Sequence, residues 1–549
     1  MTRKACSVLF ILLLLVPSRS GAQSNPLGTF IHRQFYPETV RVEDVSGISE
    51  RVVNGKLHLT LHDFLELVLK NSTEVKLSRL DVYTAADQIT AAKAPLDPSL
   101  IGGFSPLRSI SPQYDQIYGA ETLSSLAQTS TLTYNQQLPT GQTVSANFQA
   151  VRSSTNNAFY FLNPNIYSFL TISITQPLLR DRNRIEFTGP LQIARTELLI
   201  TSDVSAAAIA DTIAAAGTTY WQAILARDSI HVQQNAVDLA LKAYERDKKA
   251  LDLGALGRLD IYTSEARVAQ VQRDLVQAQF SYQTDLDGLR RLIAADLSPE
   301  MRALELVLDD DPTLVSPSQT VLPFEEALKR ALTLRPEYKA TEKRLNVDAL
   351  NARIARNLLL PRLDLSLQIG SSGVGGDAVP EPGIPNGPSV ASSSGLGTAL
   401  GQTLGFAYPT YGFGLQFNIP LRNSPAQANL ADALVNRVRD QYSQRQAQQR
   451  ITLELQQAIH SIELAKATIE VAIKARDLSR KNVEAEQQKF ELGTIQAFEL
   501  LDAQGQLVAA ESSLLGAYVG YQQSYLSYQR AAWTLLDGLG IIVEVPKVR

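Results

Sequence analysis

Few residues in this 549-residue chain have the types and spacing that chemistry needs. Its five histidines, His32, His58, His62, His231 and His460, are scattered. His58 and His62 stand four apart, a step at which two imidazoles could share a metal on one helix face. A helix beginning at Thr60 leaves His58 outside it, so both are expected as surface side chains. Asp309, Asp310 and Asp311 could offer oxygens to calcium, but they sit in a Pro- and Ser-rich stretch and are expected to be a solvated run. Gly373-Val-Gly-Gly lacks the strand-to-helix setting in which backbone amides cradle a phosphate. The single cysteine, Cys6, precedes the apolar core of an export signal, so no thiol is expected in the mature chain. No catalytic group, cofactor or metal is expected from these residues.

The function must then lie in the elements, and one stretch organises them. Phe490–Ala503, FELGTIQAFELLDA, separates two long helical arms. Before it, Ile451, Leu455, Ala458, Ile462, Ala465, Ile469 and Ala472 recur at alternating four- and three-residue steps. After it, Leu514, Tyr518, Tyr521, Tyr525, Tyr528 and Ala532 do the same. That spacing is a coiled-coil seam. At 1.5 Å per residue the first arm is roughly 100 Å long. Gly493 is the natural reversal point, because glycine takes the left-handed conformation at little cost.

Composition narrows the class. Residues 1–22 carry a basic start (Arg3, Lys4), an apolar run (Val8–Val16) and a small-residue cleavage site (Ser20-Gly-Ala), and are expected to be a signal peptide. The net charge of −4 argues against a nucleic-acid partner. Beyond the signal no apolar run reaches about 18 residues, so no membrane-spanning helix is expected. An exported soluble protein or a membrane β-barrel remains.

Residues 23–58 form an extension without a clean period. A first structural repeat is expected over 59–297. It holds a helix from Thr60 to about Lys93, strands over about 98–176, and a helical hairpin over 190–297 that breaks at Gly254-Ala-Leu-Gly257. Residues 298–322 are expected to be a linker or equatorial segment. A second repeat over 323–537 has the same order, with strands over about 362–420 and a hairpin over 425–537. Residues 538–549 are a tail. Leu322-Pro-Phe-Glu-Glu-Ala-Leu matches the helix at Leu61, Pro361 matches Pro98, and Pro420 matches Pro177. Agreement of both order and spacing indicates internal duplication.

The strands alternate. Val144, Ala146, Phe148 and Ala150 interleave with polar residues, as do Leu170, Ile172 and Ile174, then Leu363–Ile369 and Phe413–Ile419. Thr131–Gln137 is weaker and Leu100–Phe104 poorer still. Leu138–Gly141 is a tight turn, whereas Pro106–Gln128, Arg152–Asn165 and Ser371–Pro409 are expected to be loops. Tyr160, Phe161, Tyr167, Phe169, Tyr408 and Tyr411 could form an interfacial girdle. Open sheet edges cannot sit in lipid, and so few strands cannot enclose a wet lumen alone. A homo-oligomer sharing one barrel is therefore expected, with six strands per copy, or four if the Thr131–Ala150 hairpin lies outside the wall.

These features together resemble the TolC-like outer-membrane efflux proteins, from about Leu59 to Leu536. The carriers are the duplicated plan, the proline-ended strands, and the reversal motifs LDLGALGRLDIYTSEA (Leu251–Ala266) and FELGTIQAFELLDA. The resemblance implies an all-α coiled-coil barrel joined to a membrane β-barrel of about twelve strands, shared by a homotrimer in outer-membrane lipid with four strands per copy, a count from which the Thr131–Ala150 hairpin departs. It implies a periplasmic adaptor protein and an inner-membrane pump as partners, in a tripartite efflux pump or a type I secretion system. It also implies that Asp260, Glu499 and Asp502 form acidic rings at the periplasmic aperture, and that Leu253, Gly254, Ala255, Leu492, Gly493 and Thr494 meet the adaptor. The family's basic residue two positions past the second reversal glycine is replaced by Ile495, so that charge lock is absent, or Arg258, the basic residue nearest the tips, takes part in a different one. Two plainer readings stay open: Glu499 and Asp502 favour the first turns of a helix, and the glycines only permit turns. Readings of other classes are a secreted coiled-coil scaffold, which leaves the strands unexplained, and a barrel-anchored enzyme, which lacks a catalytic group.

Overall fold

The computed structural model describes residues 41–42, 46–114, 121–157, 160, 162–253, 257, 260–293, 298–314, 321–378, 395–492 and 494–538. The signal segment, Phe161 and the tail beyond Gly538 lie outside the described residues. The chain divides into two compact units, and the second, Gly47–Arg549, holds every element named here.

That unit opens with β1 (Val52–Val53) and β2 (Lys56–Leu59), followed by α1 (Leu61–Asn71) and α2 (Thr73–Lys93). Thr60 caps α1, its side chain accepting from the Asp63 amide at 3.2 Å. Four strands follow: β3 (Ser99–Pro112), β4 (Thr122–Gln137), β5 (Thr143–Thr155) and β6 (Leu162–Pro177). Then come α3 (Arg184–Asp252), α4 (Asp260–Ile293), α5 (Pro299–Ala303) and β7 (Glu305–Leu308). The second half runs through α6 (Phe324–Leu334), α7 (Pro336–Asn357), β8 (Arg362–Ala378), α8 (Leu396–Leu404), β9 (Tyr408–Asn418), α9 (Ser424–Glu491), α10 (Ala497–Ala531) and α11 (Leu535–Gly538).

The helices form a wall. Helices α3 and α9, of 69 and 68 residues, each extend roughly 100 Å. Helices α2 and α4 pack on one side of α3, while α7 and α10 lie between α3 and α9. The seam expected along α9 is buried at Ile451, Leu455, Ala458, Ile462, Ala465 and Ala472, against Tyr521 and Tyr528 higher up and Leu514 and Ala517 lower down. By length and composition α3 could cross a membrane, although no such helix was expected. Its apolar stretch instead buries Ile213, Ala216, Tyr220 and Ile224 in the wall. Gly217 there lets α10 approach, because a Cβ would lie 2.5 Å from Leu526 Cδ2.

The segment after α4 carries its own elements, α5 and β7. Strand β7 pairs in parallel with β2, Leu57 opposite Leu306 and Leu59 opposite Leu308. The two strands are about 250 residues apart in sequence, so local pattern could not reveal the pairing. Asp310 accepts from the Leu61 amide at 2.6 Å and from the Tyr220 hydroxyl at 2.8 Å. Burial first, and Asp310 second, push the Tyr220 phenol well above its ordinary range. The aspartate run thus pins the start of α1 to α3. His58 lies on β2, 3.2 Å from Asp309, while His62 is on α1.

Helix α7 meets α9 through an acid pair. Asp348 is 7% exposed and faces Asp440 and Arg437 on α9, with Arg344 on its own helix. Burial and then Asp440 push Asp348 up to about 6. A raised acid contributes its stability while protonated, so that contribution is complete below about pH 4 and lost as pH rises through 6. Asp348→Asn should therefore stabilise the wall at pH 8 by about 1 kcal/mol, allowing for solvent screening, and leave it unchanged at pH 4. Thermal unfolding followed by helical circular dichroism at the two pH values checks this; an equal gain at both would show that charge is not the cause.

Candidate functional site

Six strands form one antiparallel sheet in the order β3-β4-β5-β6-β8-β9. Register defines two faces, because side chains alternate along each strand. One cross-strand row reads Leu100, Tyr134, Ala146, Ile172, Ile369, Tyr411. The next on that face reads Gly102, Leu132, Phe148, Leu170, Ser371, Pro409. The opposite face carries Ile101, Thr133, Asn147, Thr171, Gly370, Thr410, and below it Ser99, Asn135, Ser145, Ser173, Gln368, Gly412. One face is thus apolar over a band of rows and the other is mostly polar and small.

The strands outrun their sequence signal. Strands β3, β4, β5 and β6 extend into both segments expected as loops, and β8 continues to Ala378. Alternation marks a strand only where one face meets an apolar medium. Above the rows of Arg152 and Gln128, joined at 3.0 Å, that contrast fades. The hairpin of β4 and β5 lies within the sheet, which therefore has six strands in this chain. The expected aromatic girdle divides: Tyr167, Phe169 and Tyr408 share the polar face and Tyr411 the apolar one.

At the other end of the helices lie the two reversals. Gly254, Ala255, Arg258 and Gly493 fall outside the described residues, and of Asp260 only its place at the start of α4 is described. Leu253 and Leu492 are 83% and 79% exposed at the ends of α3 and α9. Thr494 bonds Lys489 O through its amide (3.0 Å) and its hydroxyl (2.9 Å), closing the end of α9. On α10, Glu499 and Asp502 are exposed on one face, while Leu500, Leu501 and Ala503 are buried. Burying one face fixes the other outward.

Sequence spacing missed three features of this end. Arg246 on α3 stacks over the Phe490 ring on α9, 4.2 Å from its centre, tying the two hairpins together. Asp247, 2% exposed, accepts from Arg246 and from the Ser264 hydroxyl, tying α3 to α4. A cleft of about 550 Å³ between α4 and α10 is lined by Tyr262, Arg267, Phe498 and Asp502, with Gly505 leaving space for the Arg267 guanidinium. No local signal could pair Arg246 with Phe490, because the contact exists only once two separate helices are side by side. Lys489, whose ammonium is held above its ordinary range chiefly by Glu486, also lies in the field of Glu499.

Among the described residues no three His, Cys, Asp or Glu side chains cluster as a metal would require.

Comparison with known proteins agrees with this geometry. Residues 327–532 match the model of the outer membrane efflux protein family. The outer membrane channel CmeC of Campylobacter jejuni shares the fold at a TM-score of 0.62 and 15% identity, covering 95% of this chain and 93% of that one. The outer membrane protein VceC of Vibrio cholerae gives 0.60 at 15% identity, covering 86% and 95%. The MtrE outer membrane channel of Neisseria gonorrhoeae gives 0.56 at 17%, covering 86% and 89%. No curated protein matches the chain. The resemblance to TolC-like outer-membrane efflux proteins therefore holds, and the matched family is one of the outer membrane.

Proposed function

We propose that this chain, a relative of the outer membrane efflux proteins by residues 327–532 and by fold, is the exit duct of a tripartite efflux pump. It sits in the outer membrane with its helices in the periplasm, and it conducts passively without catalysing. The observation that carries the reading is the open six-stranded sheet, apolar on one face and polar on the other, borne on helices of roughly 100 Å. Strands β3 and β9 are its two free edges, and unpaired edges are untenable in lipid.

Three copies pairing β9 of one with β3 of the next would close the sheet. Six strands from each make eighteen, a count at which barrels hold an aqueous channel. The helical wall also has apolar side chains to bury against neighbours: Leu464, Val471 and Leu478 on α9 are each about two-thirds exposed, and so is Phe280 on α4. At the tip, Asp260, Glu499 and Asp502 would form acidic rings, favouring cations and repelling anions. Leu253, Gly254, Ala255, Leu492, Gly493 and Thr494 would receive the periplasmic adaptor, which joins the duct to an inner-membrane pump.

The full chain purified in detergent should be a heat-modifiable trimer, and its density should contain an eighteen-stranded barrel. A monomer with a sealed sheet overturns the duct; a trimer with twelve wall strands overturns the closure.

A further inference from the structure

The apolar face has a gap, and one helix fills it. Moving up the wall, the row after Leu170 and Ser371 reads Phe104, Ser130, Ala150, Ser168, Gly373. Along β8 the apolar series Leu363, Leu365, Leu367, Ile369 gives way on that same face to Ser371, Gly373 and Gly375. Strand β9 begins opposite Ser372, so among the described residues β8 above that point has no strand partner on that side. In a barrel wall this corner would offer hydroxyls and unpaired backbone to lipid, which is costly.

Helix α8 lies over this corner. Ser168 Oγ donates to Ala399 O at 2.9 Å, and Thr403 Oγ1 donates to Ser168 O at 3.2 Å. Gln402 Oε1 accepts from the unpaired Val374 amide at 2.9 Å. Ser168, Ser371, Ala399 and Thr403 are all completely buried. Gly373 makes the contact possible, because a Cβ there would stand 2.1 Å from Ala399 O. With Ala399 and Thr403 turned to the wall, Leu396 and Leu404 are left 45% and 64% exposed.

We propose that α8 lies on the outside of the barrel wall and presents Leu396 and Leu404 to lipid acyl chains, completing the apolar belt where the strands lack it. The occupant follows from continuity. The helix is seated on the face of Leu132, Phe148, Leu170, Ile172 and Phe413, which the duct reading gives to lipid, and its exposed residues, Leu396, Gly397, Thr398, Gly401 and Leu404, carry no charge. This inference rests on the proposed barrel.

The test uses the full chain in a Cys6→Ser background, reconstituted in phospholipid bilayers, with one nitroxide label at a time. The sites are Leu396→Cys, Leu404→Cys, Phe148→Cys on the apolar face and Gln149→Cys on the polar face. Collision with oxygen reports lipid, and collision with a water-soluble nickel chelate reports water. The Leu396 and Leu404 labels should match the Phe148 label, with oxygen collisions several-fold above their level at Gln149. Labels at Leu396 and Leu404 that follow Gln149 would place α8 in water and overturn the inference. Labels there shielded from both reagents would place it under a neighbouring copy and also overturn it. If the Phe148 and Gln149 labels do not differ, the barrel itself fails, and the inference with it.

Discussion

Replacing Glu499 by Gln and Asp502 by Asn together should lower the cation-to-anion permeability ratio of the reconstituted channel by about tenfold, equivalent to about 1.4 kcal/mol per monovalent ion. The size follows from geometry. The two carboxylates are one helical turn apart on the exposed face of α10, and burial of Leu500, Leu501 and Ala503 prevents that face from turning away. In the proposed trimer six carboxylates would converge on the axis. Arg267 lines the same cleft as Asp502, and Lys489, bonded to Glu486, also lies in the field of Glu499, so neutralising the acids removes negative charge beside both cations. The effect should shrink at high salt, since exposed charges are screened over about 10 Å at 0.1 M. Reversal potentials in a salt gradient measure it. An unchanged ratio would leave the acids with only a preference for the start of a helix.

Arg335→Ala should destabilise the helical wall by about 2 kcal/mol at neutral pH, the usual scale for losing hydrogen bonds to charged groups, since Glu337 keeps a second guanidinium. Arg335 is 3% exposed and donates to Glu337 and Glu454, each at 2.7 Å. Arg530 reaches the same Glu337 at 3.0 Å and Asp211 at 2.5 Å. The network joins α7, α9, α10 and α3 at one level, where the short helices leave the path of the long ones. Burial alone would push Glu337 up, but Arg530 and Arg335 outweigh it and hold it below its ordinary range. A depressed acid contributes above its unfolded pKa and loses that contribution as pH falls through its folded one. The variant and the parent should therefore converge in acid and differ most at neutral pH. Chemical unfolding followed by helical circular dichroism at pH 7 and pH 3 tests this; a loss under about 1 kcal/mol at pH 7 would mean that the network is not what binds the four helices.

Much of the architecture was legible because it is periodic. The α9 seam, the Thr60 cap and the alternating cores of β5, β6, β8 and β9 each express a local rule of spacing. Their positions agree with the structure to within a few residues for the helices. The upper halves of the strands were not legible, because where both faces meet polar surroundings a strand has no reason to alternate. Helix α8 was hidden for a related reason: Leu-Gly-Thr-Ala-Leu-Gly in a glycine-rich segment has weak helix propensity, and its contacts with Ser168 and Gly373 supply what the sequence lacks.

The sequence by itself determined the long helices and the alternating strands, where the chain reverses, and that one side of those strands is apolar and the other polar. These follow from the spacing of apolar side chains, a property each segment carries alone. Tertiary structure alone decided that β4 and β5 join the same sheet as the other strands, that β2 pairs with a strand about 250 residues away, that Arg246 finds Phe490, and that α8 covers a polar corner. Those outcomes depend on contacts between segments whose distance in sequence leaves no shared pattern, and only the packed chain brings them within reach.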